Sequence, residues 1–146
     1  MYVPMEMPTD YYYDLADSDK TEAFIFTIKY GDYEAFEKLL STQEDINVTD
    51  NSDSDWTPLM HAVLEESLLM VQKLVEAGAD VNVKAIEPYT DEFPLNIAAY
   101  GCCSASSDYE YKRNKKIYDY LFPLTSPELQ CIAEKNLNSR TNTIFN

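Results

Sequence analysis

Residues 56–84 read WTPLMHAVLEESLLMVQKLVEAGADVNVK and hold a complete structural unit. Pro58 follows a threonine where a helix would begin, a position at which the missing proline N–H forfeits no hydrogen bond. Leu59, Ala62, Val63, Leu68, Val71, Leu74 and Val75 fall at helical spacings, which predicts two short amphipathic helices. Gly78 stands where the second helix would end, in the left-handed conformation that glycine adopts without strain. The stretch is a helix-turn-helix hairpin with nothing reactive in it.

One hairpin cannot bury its apolar face alone, so copies should flank it. Upstream, residues 22–48 align without a gap at an offset of 35, placing Phe24 on Leu59, Phe36 on Val71, Leu39 on Leu74 and Asn47 on Asn82. Downstream, FPLNIAAY (93–100) aligns at an offset of 36, with Pro94 on Pro58, Leu95 on Leu59 and Ala98 on Ala62. KKIYDYLF (115–122) matches LLMVQKLV (68–75) only if about eleven extra residues sit around GCCSASSDYEY, so an insertion is expected over about 101–113.

TPLMHA (57–62) departs from the signature T-P-L-H-x-A at Met60 alone, and GADVN (78–82) follows at the expected distance; on these residues the chain resembles an ankyrin-repeat protein. The resemblance implies an all-α solenoid of three stacked helix-turn-helix hairpins over residues 20–124, joined by extended finger loops. Lys20, Asp55 and Asp91 replace the usual finger glycine, and the offsets exceed a 33-residue period, so the fingers should be longer than average. In TSPELQCIAEKNL (125–137), Ser126 reads as an N-cap and Pro127 as the first helical residue, predicting a C-terminal capping helix to Leu137 and a tail over 138–146. Residues 1–19 form an acidic, tyrosine-rich arm, either free or folded back over the first repeat.

Catalytic triads and Cys-His pairs need a histidine base, and the one histidine, His61, occupies a packing position of the repeat. Cys102, Cys103 and Cys131 give neither a disulfide framework nor zinc-ligand spacing, which favours a reducing compartment and a cytoplasmic location. The segment DNSDSD (50–55) invites a calcium reading, but Trp56 then stands where the turn glycine belongs and Ala62 where the bidentate glutamate belongs. Gly31, Gly78 and Gly101 lie at or beside expected turns and build no phosphate cradle. No metal, cofactor or catalytic residue is expected, and the chain reads as no enzyme.

Twenty-six acidic residues against eleven basic ones give a net charge of −15, which repels nucleic acid and anionic membrane surfaces. Residues 1–19, 44–55 and 87–92 contain no Lys or Arg and carry −13 of it, whereas residues 93–146 are +1. No run of eighteen apolar residues occurs, and the opening MYVPMEMPTDYYYD lacks the charge and hydropathy pattern of a secretory signal.

Ankyrin proteins, which the chain resembles, dock partners on the concave face made by finger tips and first helices. Carried over, those positions are Asp53, Ser54, Trp56, Leu64 and Glu65 in the middle repeat, Tyr89, Thr90, Glu92 and Tyr100 in the third, and Tyr30 in the first. Aromatic anchors among carboxylates suit a basic protein partner. In a sharper form that partner is a toxin or nuclease and the chain its inhibitor or immunity protein. The alternatives are an acidic mimic of nucleic acid and a scaffold subunit of an oligomer; a monomer is favoured, without the oligomeric state being fixed by sequence.

Overall fold

The computed structural model describes residues 11, 12, 19–52 and 54–145, and their side chains as far as residue 139. Helices α1 (Lys20–Lys29) and α2 (Tyr33–Leu40) form the first hairpin, α3 (Pro58–Leu64) and α4 (Leu68–Glu76) the second, and α5 (Pro94–Ser104) and α6 (Asp108–Leu121) the third. A 3-10 turn, Phe122–Leu124, leads into α7 (Pro127–Phe145). Among the described residues there is no strand, and no helix is long and apolar enough to cross a membrane. The all-α solenoid expected from the sequence is the fold observed.

Local chemistry starts each helix where it does. Asp19, Asp32, Thr57, Ser67 and Ser107 each accept a hydrogen bond from the backbone N–H three residues on, at 3.1–3.4 Å. Caps of this kind contribute about 1 kcal/mol each. Pro94 opens α5 after Phe93 with no side-chain cap, and Gly31 (φ 70°) and Gly78 (φ 102°) end α1 and α4 in the left-handed region.

The first helices α1, α3 and α5 pack side by side as an inner row, and α7 closes that row against α5. A single apolar core runs through the stack, from Tyr12 through Phe24, Phe36, Leu59, Met60, Leu74, Leu95 and Ile117 to Leu129 and Ala133. Phe24 and Phe36 stack within it at 5.5 Å. Equivalent asparagines tie successive units together: Asn47 Oδ1 accepts from Asp80 N, and Asn82 Oδ1 from Ser126 N, both at 2.8 Å. At the front of the stack, Tyr12 is fully buried and its hydroxyl donates to Asp32 Oδ2 at 2.7 Å, so this part of the arm does fold onto the first repeat.

Two expectations change, and the expected insertion takes a definite form. Of the extra residues in the third repeat only Ala105–Ser107 lie outside helix, and the rest lengthen α5 and α6. Ser107 with Glu110 three residues later makes a capping arrangement, in which Ser107 Oγ accepts from Glu110 N and Glu110 Oε2 accepts from Ser106 N at 3.0 Å. Gly101 therefore lies inside α5 rather than at a turn. The final helix continues past Leu137 to Phe145, because residues 138–145 contain neither proline nor glycine to stop it.

Gly101 is needed where it stands. A Cβ there would lie 2.1 Å from Asn114 Oδ1, and Asn114 is held by its own bonds to Glu66 Oε1 (2.7 Å) and the Glu110 carbonyl (2.9 Å). Arg113 also donates to the Glu66 carbonyl at 3.3 Å, so the added turn of α6 braces the turn between α3 and α4. Alanine inside a helix is normally favoured over glycine by about 1 kcal/mol. Here Gly101→Ala should instead destabilise by about 1–2 kcal/mol in denaturant unfolding, since it displaces a buried, hydrogen-bonded amide. Gly101→Ala combined with Asn114→Ala should recover part of that loss.

Candidate protein-docking groove

Asp50 organises the finger that precedes α3. Its Oδ1 accepts from Ser52 N (3.0 Å), Ser52 Oγ (2.6 Å) and Trp56 N (3.1 Å), while its backbone N–H donates to the Trp56 carbonyl at 2.9 Å. Its Oδ2 lies 2.7 Å from His61 Nε2. The aspartate thus closes the loop on itself and fastens it to the first turns of α3. Asn51 (φ 57°) and Asp55 (φ 61°) take left-handed backbone to let the chain turn so tightly. The carboxylate is committed to donors of the loop and of α3, and among the described residues no group of three or more His, Cys, Asp or Glu could hold a metal.

His61 is buried, and the Trp56 ring stands edge-on to it at 5.4 Å. Burial pushes the imidazole below its ordinary pKa, against the opposing influence of Asp50, and Lys29 lowers it further. The neutral ring then donates its Nε2 proton to the carboxylate. Burial alone would raise the Asp50 carboxyl, but the Ser52 and His61 hydrogen bonds outweigh it and hold the group below the ordinary carboxylate value.

Trp56 in turn donates its indole N–H to Glu92 Oε2 at 3.2 Å, across to the next finger. The two fingers also meet where Ile86 N donates to the Ser54 carbonyl at 3.2 Å. Within the second finger, Ala85 N donates to the Glu92 carbonyl at 2.9 Å, and Tyr100 on α5 donates its hydroxyl to Asp91 Oδ2 at 3.2 Å. Partial burial and the neighbouring Asp91 both raise the Tyr100 phenol above its ordinary pKa.

These contacts wall a groove of about 500 Å³ between the second and third repeats. Trp56 and Leu64 stand on one side, Tyr89, Asp91 and Glu92 on the finger side, and Ile97, Tyr100 and Gly101 on α5. Leu64, Tyr89 and Tyr100 are 54%, 40% and 44% exposed, a high share for large apolar side chains. Among the described residues no Lys or Arg lines the groove.

Five of the residues singled out from sequence therefore come together: Trp56, Leu64, Tyr89, Glu92 and Tyr100. Ser54 serves as the link between fingers, and Thr90 is half-buried in the second finger's turn. Glu65 caps the end of α3; it is exposed as a residue, yet partial burial of its carboxyl raises its pKa, with Lys29 opposing and Glu66 reinforcing. Asp53 lies outside the described residues.

Tyr30 does not join the groove, because its ring packs on Phe26 (6.0 Å) and Tyr12 (6.1 Å) at the front of the stack. Trp56 is no free anchor either: it is half-buried, hydrogen-bonded and packed on the core, so it holds the finger and lines the groove at once. Asp50 and Asp91 were missed as individuals. The spacing of Asp50 ahead of a Trp and the only His was the available signal, whereas Asp91 stood out only as a replaced finger glycine and as part of a charge run.

A family model of ankyrin repeats, in three copies, matches residues 8–85. With the stacked hairpins and paired fingers, this places the chain in the ankyrin-repeat family, whose repeats build protein-protein interaction modules and are typically non-enzymatic. The third hairpin and α7 lie beyond the matched residues. No curated protein matches the chain.

The only histidine makes its titration easy to assign. Its folded pKa lies below the unfolded one, so as pH falls through about 6.5 the unfolded chain takes up the proton first and folding loses stability. Unfolding free energy should drop between about pH 7.5 and about pH 5.5, by at most about 1.4 kcal/mol per pH unit from this group. His61→Gln should flatten that part of the slope; urea titrations of both proteins across the window measure it.

Proposed function

We propose that this chain is a non-enzymatic binding module that docks a basic protein in the groove between its second and third repeats. The observation that carries this reading is the groove's composition: aromatic and aliphatic walls with two carboxylates and no basic residue among its lining. A partner reaching it would bury apolar surface at the centre and place cations against Asp91 and Glu92, the arrangement of an interface hot spot with a charged surround. The net charge of −15 would steer a basic partner toward this face before contact.

The inhibitor form of the proposal has the partner as a toxin or nuclease whose basic active site the chain covers. The net acidity supports it, since a nucleic-acid-degrading enzyme must itself be basic around its substrate path. Mimicry of nucleic acid fits less well. Asp50, Asp91 and Glu92 are each engaged by neighbouring side chains rather than presented in a free row.

Leu64→Ser and Tyr89→Ser remove exposed apolar surface without touching the core. Together they should weaken binding of a protein captured from the source cell by about tenfold or more, with an unchanged unfolding midpoint. Wild-type affinity should also fall as ionic strength rises. A captured nuclease should lose cleavage activity when wild-type chain is added and keep it when the double variant is added. Binding indifferent to both the substitutions and salt would overturn the proposal.

A further inference from the structure

We infer that the group the groove recognises is an arginine side chain presented by the partner; this rests on the reading of the groove as the docking surface. Asp91 and Glu92 are adjacent in sequence, and each is fixed through one oxygen only: Oδ2 of Asp91 by Tyr100 and Oε2 of Glu92 by Trp56, both at 3.2 Å. Asp91 Oδ1 and Glu92 Oε1 accept no hydrogen bond among the described residues. The pair therefore offers two pre-positioned acceptors, and neither carboxylate has to give up an existing bond to receive a ligand.

Beside these acceptors lie the side chains of Trp56, Tyr89 and Tyr100. A guanidinium suits that combination better than an ammonium. It is planar, weakly hydrated and able to stack on aromatic faces, and its forked donors can reach two acceptors at once. A lysine would bring a compact, strongly hydrated charge that gains less from the rings. The groove, about 500 Å³, has room for such a side chain with the apolar residues flanking it, which Leu64 and Ile97 would meet.

Within this chain Arg113 is already engaged: it donates to the Glu66 carbonyl at 3.3 Å and stands 5.6 Å from the centre of the Tyr109 ring, contacts it would have to give up to serve as the donor from a second copy.

Trp56 is the only tryptophan, so its emission reports directly on the groove. The test titrates the full chain with a capped leucine-arginine-leucine tripeptide, and with the same peptide carrying lysine or the uncharged isostere citrulline in place of arginine. A saturable emission change is expected with arginine, about tenfold tighter than with citrulline and tighter than with lysine. Asp91→Asn and Glu92→Gln keep an acceptor oxygen for Tyr100 and Trp56 but remove the charge. Each should bring arginine affinity toward the citrulline level with an unchanged unfolding midpoint.

Equal responses to the three peptides, or no saturable response, would overturn the arginine assignment. So would a concentration-dependent emission change without peptide accompanied by doubling of the mass, which would give the groove to a second copy. The docking reading is judged separately, by the effect of Leu64→Ser with Tyr89→Ser on the captured protein. If that loss of binding persists while the peptides fail, only the arginine assignment falls.

Discussion

The Asp50–His61 contact is the constraint on which the groove depends. A finger between two repeats has no regular hydrogen-bonding partner of its own, and an irregular loop left to solvent would sample many conformations. Asp50 removes that freedom by accepting from Ser52, Trp56 and His61 together. Because His61 belongs to a buried helix, the loop is referred to the core, and the Trp56 ring is fixed between them. Glu92 and the second finger are then set by Trp56. The proposed docking surface is thereby organised before a partner arrives, which lowers the ordering cost of association.

Stacking supplies the rest. Each hairpin buries one face against the next, and the asparagines at 47 and 82 repeat the same link at successive junctions. The stack is closed at one end by Tyr12 over the first repeat and at the other by α7 against α5. The third repeat is the one that deviates. Its longer α6 reaches back to Glu66 through Arg113 and Asn114, which ties it to the turn between α3 and α4, and Asn114 itself lines the groove. Gly101 is the residue that lets α5 and α6 approach.

Much of this was legible in the sequence, for physical reasons that differ from residue to residue. Thr57, Pro58 and Gly78 act through their own backbone preferences, so their roles follow from local sequence and reappear in the structure. The alignment of Asn47 with Asn82 carried the junction chemistry with it. Ser107 and Glu110 were equally local, but the sequence reading placed an insertion over about 101–113 without assigning it a conformation, and their capping signal went unused. What sequence could not supply was direction. Tyr30 and Tyr100 stand one register position apart in the first and third repeats, yet one packs on Tyr12 and the other bonds Asp91. Trp56 shows the same limit, since its half-buried place depends on Asp50 and Glu92, neither of which a single-repeat alignment can pair with it.

The resulting picture is of an acidic ankyrin-repeat module whose two fingers, tied by hydrogen bonds between its second and third repeats, form the proposed docking surface. Amide hydrogen exchange of the chain alone and in complex with its captured partner tests that picture most directly. Protection on binding should concentrate in residues 54–65 and 86–101, leaving the outer helices α2 and α4 unchanged. Protection centred on α2, α4 or α7, with the two fingers unaffected, would contradict it.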